Sequence, residues 1–230
     1  MKKLKLLLKN AEFVHFGYNL EIKSDPLKNQ RQRKSKDPCE GCGLHKDLCI
    51  CALIPKINIK TKLTLVIHKR ELKRTTNTGQ LAIKALTNSE LKVMGEQNSP
   101  FELSSILDPE YENLLFYPSD EASELNPEFL KQFSKPIHLI VPDGNWRQAS
   151  KVHYRNKNLT SLPRVKLNFN QHPEFFLRTE TKENGMATLE AIALAMGLLE
   201  GEDVKNSLMK VFQAKLKNTL KGRGINNSDF

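Results

Sequence analysis

The chain has 230 residues, of which 39% are hydrophobic and 27% charged, with a mean hydropathy of −0.49. This is an ordinary globular composition. It excludes a disordered chain, and the length suits one domain with an extension or two small domains. The net charge of +10 is unevenly placed: residues 1–38 and 205–223 each carry an excess of +6, while residues 39–204 come close to neutral. Basic ends fit a phosphate-bearing partner or simply solvated, solubilising tails.

The first residues, Met1 to Lys9, resemble a signal peptide faintly. Lysines break the apolar stretch and no small-residue cleavage site follows, so the reading is a cytosolic protein. No apolar run approaches the ~20 residues a spanning helix needs, so no membrane partner is expected. Residues 24–38 are polar, basic and bracketed by Pro26 and Pro38, as in a linker. All four cysteines fall next, within residues 39–51. The β-branched alternation of residues 62–68 predicts a strand. Residues 78–86 read as a helix with Thr78 as its cap. Residues 96–128 hold nine acidic residues and no Lys or Arg, and are expected to face away from any nucleic acid. Short apolar runs predict strands at 113–117 and 136–141, the second buried on both faces. A helix is expected over 145–157, a strand over 164–169, an apolar helix over 187–199 and a basic amphipathic helix over 204–220. Strands alternating with helices imply an α/β fold, with a mostly parallel sheet and helices on both faces. The expected division is a basic extension (1–38), a four-cysteine motif (39–55), a catalytic domain (56–204) and a basic C-terminal helix and tail (205–230).

Cys39, Cys42, Cys49 and Cys51 follow a C-x2-C-x6-C-x-C spacing, with Gly41 and Gly43 allowing tight turns. Four thiolates on two turns suit a tetrahedral zinc, and with no open position that zinc would be structural. Reduced structural thiols, an iron–sulfur cluster and an oxidised pair are the other readings that the spacing allows.

The strand ending at Val141 runs into Pro142-Asp143-Gly144-Asn145-Trp146. In open α/β sheets ligands bind outside the carboxyl ends of strands. An Asp there can accept or orient a proton, or merely cap the next helix. Trp146, the one tryptophan, serves either packing or the site. Arg147, Lys151 and Arg155 fall at i, i+4 and i+8 on one helical face, and no acidic residue occurs over 145–173. A uniformly basic stripe beside that Asp points to phosphates. A second basic cluster holds Lys69, Arg70, Lys73 and Arg74, leading into the polar turn Thr75-Thr76-Asn77-Thr78-Gly79. A third polar loop, Arg178-Thr179-Glu180-Thr181, precedes Thr188-Leu189-Glu190 and the apolar helix. Each of these loops also admits a structural role.

Taken together, the motifs from Cys39 to Pro55, from His68 to Gly79, from Asp143 to Trp146 and from Arg178 to Ala191 resemble the DTW-domain family. One departure touches the signature itself: Asn145 stands where the family has Thr, which puts a contact made by that hydroxyl in doubt. The resemblance implies a tRNA-uridine aminocarboxypropyltransferase, which moves the 3-amino-3-carboxypropyl group of S-adenosylmethionine to N3 of a uridine, in the variable loop for bacterial-type members. It also implies a relation to the knotted SPOUT-like transferases, although neither periodicity nor spacing reveals a knot here. On this reading Asp143 and Trp146 are catalytic. Thr75, Asn77, Thr78, Pro142, Asp143, Gly144, Arg178, Thr179, Glu180, Thr181 and Thr188 would hold S-adenosylmethionine. Lys69, Arg70, Lys73, Arg74, Arg147, Lys151 and Arg155 would hold the tRNA. The four cysteines would hold zinc. Two rivals stand: a SPOUT-like RNA methyltransferase, and a non-enzymatic zinc-bearing RNA-binding protein.

Overall fold

The computed structural model describes residues 37–95, 105–143, 162–168 and 186–224, all within one compact unit, Ser35–Phe230. The expected helix over 145–157 lies outside the described residues.

Strand β1 (Lys62–His68) leads to helix α1 (Gly79–Ala85) and strand β2 (Ser89–Met94). Strands β3 (Glu112–Phe116) and β4 (Ser123–Glu124), a single turn α2 (Pro127–Leu130) and strands β5 (Ile137–Asp143) and β6 (Arg164–Lys166) follow. Helices α3 (Thr188–Glu200) and α4 (Glu202–Gly222) close the described chain. The strands form one sheet in the order β2-β1-β5-β3-β6-β4, and every pairing is parallel. The α/β architecture is therefore as expected, and β5 sits inside it with five consecutive buried residues. β2 and the two-residue β4 are additions that the hydropathy pattern does not announce.

Alternation along the strands separates two packing layers. Leu63, Leu65, Leu114, Leu139 and Val141 face a large core built with α1, α3 and α4. Val66, Leu115 and Ile140 face the other side, under Ile106. Cys42, Leu44 and Ile50 belong to the larger core, so the cysteine segment is packed into the same interior as the helices. Among the described residues no helix is long and apolar enough to cross a membrane.

The second layer also buries a polar string. His138 Nδ1 lies 2.7 Å from Asn113 Oδ1, and its Nε2 lies 2.7 Å from the Thr64 hydroxyl. Asn113 spends its amide on the Asp108 and Tyr111 carbonyls, so its Oδ1 accepts and the His138 Nδ1–H donates. The Thr64 hydroxyl also lies 2.9 Å from Glu90 Oε1, and it can donate to only one of these partners at a time. Burial, aided by the Lys62 ammonium, pushes His138 down to about 4 from its ordinary 6.5, against the opposing carboxylates of Glu90 and Asp108. The unfolded chain therefore binds a proton that the native state refuses between these values. Stability is full above pH 6.5 and declines as pH falls toward 4, by up to about 3 kcal/mol. Urea denaturation across this range measures the slope. His138→Gln flattens it if this histidine is the cause, and an unchanged slope in that variant counts against the assignment.

Candidate active site and metal centre

Asp143 is the last residue of β5 and lies in register with Ile67, the penultimate residue of β1. After β1 the chain turns to β2 on one side, whereas β3 lies beyond β5 on the other. The carboxyl ends of β1 and β5 thus flank a topological switch, where doubly wound sheets open a crevice.

Three elements converge there. The Asn77 amide donates to Asp143 Oδ2 at 2.6 Å, from the turn after β1. The Thr188 hydroxyl, at the start of α3, donates to Asp143 Oδ1 at 2.6 Å. Thr78 stands at the N-cap of α1, yet its side chain makes no cap hydrogen bond there. Its hydroxyl instead accepts from Leu189 N–H at 3.2 Å, tying the start of α3 to that of α1. Asn77 Oδ1 takes over the cap by accepting from Gln80 N–H at 3.3 Å. Asp143 is only 4% exposed, and Asn77 and Thr78 are also buried. Among the described residues each carboxylate oxygen accepts one side-chain hydrogen bond.

Gly79 closes the polar turn after β1 and opens α1. A Cβ there would lie 2.9 Å from Asp143 Oδ2, 3.0 Å from Leu65 Cδ2 and 3.1 Å from Thr188 Cγ2. Only a residue lacking that atom lets α1 begin so close to the carboxylate.

Of the residues expected in the site, the structure therefore brings Asn77, Asp143 and Thr188 into contact and links Thr78 to α3. Pro142 is half-buried, paired in register with Val66. The Thr75 backbone lies against the cysteine segment: a Cβ on Gly43 would lie 3.5 Å from Thr75 Cα. Lys69, Arg70, Lys73 and Arg74 are exposed in the segment that follows β1. Arg74 Nε also lies 3.2 Å from the buried Glu71 carboxylate, so its charge is shared. Gly144, Trp146, Arg147, Lys151, Arg155, Arg178, Thr179, Glu180 and Thr181 lie outside the described residues.

The four cysteines form one cluster, with all ligand atoms within 4.8 Å of one another. Cys39 Sγ lies 3.4 Å from Cys49 Sγ and 3.6 Å from Cys51 Sγ, and Cys42 Sγ lies 3.9 Å from Cys49 Sγ. Tetrahedral Zn–S bonds of ~2.3 Å place sulfurs about 3.8 Å apart, so the thiols fit a single tetrahedral ion. The N–H groups of Cys42 and Gly41, with the Cys49 thiol, draw the Cys39 thiol down to about 6. Burial and the neighbouring Cys49 and Cys39 thiols push Cys51 up to about 12. A divalent cation is what lets such crowded thiols ionise together. Gly41 makes room for them, since a Cβ there would collide with Cys51 Sγ. Gly43 turns the chain at φ +71°, the left-handed region that favours glycine.

Two lysines hold this knuckle from outside. Lys84, in α1, donates to the Gly41 carbonyl, and Lys215, in α4, donates to the Cys42 carbonyl at 2.6 Å. The Asn218 amide adds a bond to the Leu48 carbonyl at 3.0 Å. Lys215 is 0% exposed, and burial draws its ammonium down to about 8 while Cys42, Cys39 and Cys51 oppose that shift. It is thus set apart from the other cations counted in the basic C-terminal helix. Lys210, Lys217 and Lys221 are exposed and share the opposite, solvent face.

Comparison with known proteins agrees with the motifs. Residues 36–220 match the DTW domain. The chain is 26% identical over 189 residues to tRNA-uridine aminocarboxypropyltransferase 2 of Macaca fascicularis, covering 79% of this chain and 63% of that protein. It is 28% identical over 184 residues to the Mus musculus protein of the same name, covering 76% and 61%. For the Drosophila melanogaster protein of that name the identity is 26% over 207 residues, covering 86% and 79%. The matched part thus spans about three fifths of the two mammalian relatives. No solved structure matches the chain at a significant level. With the domain match running from before the first cysteine to the last turns of α4, the chain belongs to the DTW domain family.

Proposed function

We propose that this protein transfers the 3-amino-3-carboxypropyl group of S-adenosylmethionine to N3 of a uridine in tRNA, in the variable loop. The new bond joins N3 to the γ-carbon of the methionyl chain. The C–S bond breaks, methylthioadenosine leaves, and the N3 proton must be taken up. The sulfonium activates three carbons, so the outcome depends on which carbon faces the nucleophile.

The observation that carries this reading is Asp143, buried at the β5 end and gripped on both oxygens by Asn77 and Thr188. In the proposed reaction it accepts or orients the N3 proton, with its rotamer fixed before the uridine arrives. Trp146 walls the methionine end or stacks on the uridine. Thr75, Asn77, Thr78, Pro142, Gly144, Thr188 and the loop from Arg178 to Thr181 enclose the donor. Lys69, Arg70, Lys73 and Arg74, with Arg147, Lys151 and Arg155, contact phosphates. Lys210, Lys217 and Lys221, exposed on α4, offer further phosphate contacts. The cysteine cluster carries structural zinc, and the setting is the cytoplasm.

The relatives' shared name supports the reaction class. The direct test incubates the purified chain with S-adenosylmethionine and unmodified tRNA and identifies the sulfur-bearing product. The proposal expects methylthioadenosine. S-adenosylhomocysteine would make the protein a methyltransferase, and failure to bind S-adenosylmethionine would leave an RNA-binding module.

A further inference from the structure

Lys215 occupies a position that helical periodicity reserves for an apolar residue. Leu208, Val211, Phe212 and Leu216 form the buried face of α4, and Lys215 falls among them with its whole side chain out of solvent. Among the described residues its one hydrogen-bond partner is a peptide carbonyl, and burying an ammonium on such a partner is costly. Its Nζ donates to the Cys42 carbonyl at 2.6 Å, inside the cysteine knuckle, and a Cβ on Gly43 would sit 3.8 Å from it. A divalent ion held by four thiolates is formally a dianion. The carbonyl that accepts from Lys215 belongs to one of the four ligand residues, so the ammonium sits beside that cluster.

We infer that Lys215 is the buried counter-ion of the metal-loaded cysteine centre, offsetting the negative charge of the tetrathiolate while pinning its knuckle to α4. This rests on the reading of the four cysteines as a metal site. The geometry assigns a division of labour between the two lysines. Lys84 grips the Gly41 carbonyl, whose peptide turns its opposite edge, the Cys42 N–H, toward the Cys39 sulfur. Lys215 grips the next carbonyl from the dry side, where its charge is least screened. Outer partners of this kind commonly govern metal affinity.

A counter-ion and a strut differ in what happens when the metal is gone. The experiment compares wild type, Lys215→Gln, Cys39→Ser and the double variant. Glutamine keeps a donor for the Cys42 carbonyl and removes only the charge. Zinc affinity is read by competition with a chromophoric chelator, and folding by urea midpoints with and without zinc. The inference expects Lys215→Gln to weaken zinc binding roughly 10- to 100-fold. In the metal-free Cys39→Ser background the same change leaves the urea midpoint unchanged or raises it, because an uncompensated buried charge has been removed. Zinc affinity within twofold of wild type overturns the inference. So does an equal fall in midpoint in both backgrounds, or failure of Lys215→Gln to fold in both, since either marks a strut. Zinc stoichiometry of the wild type by native mass spectrometry tests the metal reading separately: a wild type that binds no zinc overturns that reading, and this inference with it.

Discussion

Asp143→Ala is expected to lower the rate of transfer by about two to four orders of magnitude, the usual range for removing a positioned proton acceptor. The same change strands the Asn77 amide and the Thr188 hydroxyl, which together grip the two oxygens. Leaving the buried Asn77 donor unpaired costs roughly 1–3 kcal/mol and the half-buried Thr188 hydroxyl less, so stability falls as well. The two effects separate by experiment. Asn77→Ala and Thr188→Val each remove one grip and leave the carboxylate, so they loosen its orientation and cost far less rate. Asp143→Asn keeps the volume: its oxygen can still accept from Asn77, and its amide can donate to the Thr188 hydroxyl, which turns to accept. It should fold nearly as well as wild type and still be deeply impaired. Rates under single-turnover conditions, with tRNA affinity measured in parallel, check this. Full activity in a folded Asp143→Asn protein would remove Asp143 from the chemistry.

Loss of the metal is the second large effect. Leu44 and Ile50, between the ligands, are buried in the main core, and Gly43 lies against Thr75 in the turn that carries Asn77. Unfastening the knuckle therefore opens apolar surface and frees the turn that holds Asp143. Stripping the metal, or Cys39→Ser, is expected to cost several kcal/mol, about 10 °C in Tm for a chain of this size. Activity should fall at least tenfold even where the protein stays folded. Calorimetry before and after chelation, with re-addition of zinc as the control, measures this. An unchanged Tm and unchanged activity after complete metal removal would show that the centre is ornamental to the site.

Much of this was legible in the sequence for identifiable reasons. Buried parallel strands such as β1 and β5 are continuous apolar runs, and α3 and α4 carry helical periodicity. β2 was not, because it is an edge strand with no fully buried residue, and its Glu90 and Lys92 mask the alternation. The residues meeting at Asp143 were readable as polar turns at strand ends. The pairing of Asn77 with one oxygen and Thr188 with the other was not, because it depends on how elements 66 and 45 residues apart along the chain meet in space. Thr78 was read as a cap for its own helix, whereas its hydroxyl serves α3. Lys215 was counted with the surface charge, although its spacing from Val211 and Phe212 already placed it on the apolar face. Charge counts treat every lysine as solvated, and periodicity is what distinguishes the one that is not.

The most direct test of the proposed activity is nucleoside mass spectrometry of total tRNA from cells lacking this protein, with the wild-type gene and its Asp143→Asn variant restored in parallel. The expected result is that 3-(3-amino-3-carboxypropyl)uridine disappears on deletion, returns with the wild type and stays absent with the variant. Undiminished aminocarboxypropyluridine in the deletion, alongside loss of a methylated nucleoside, would contradict it.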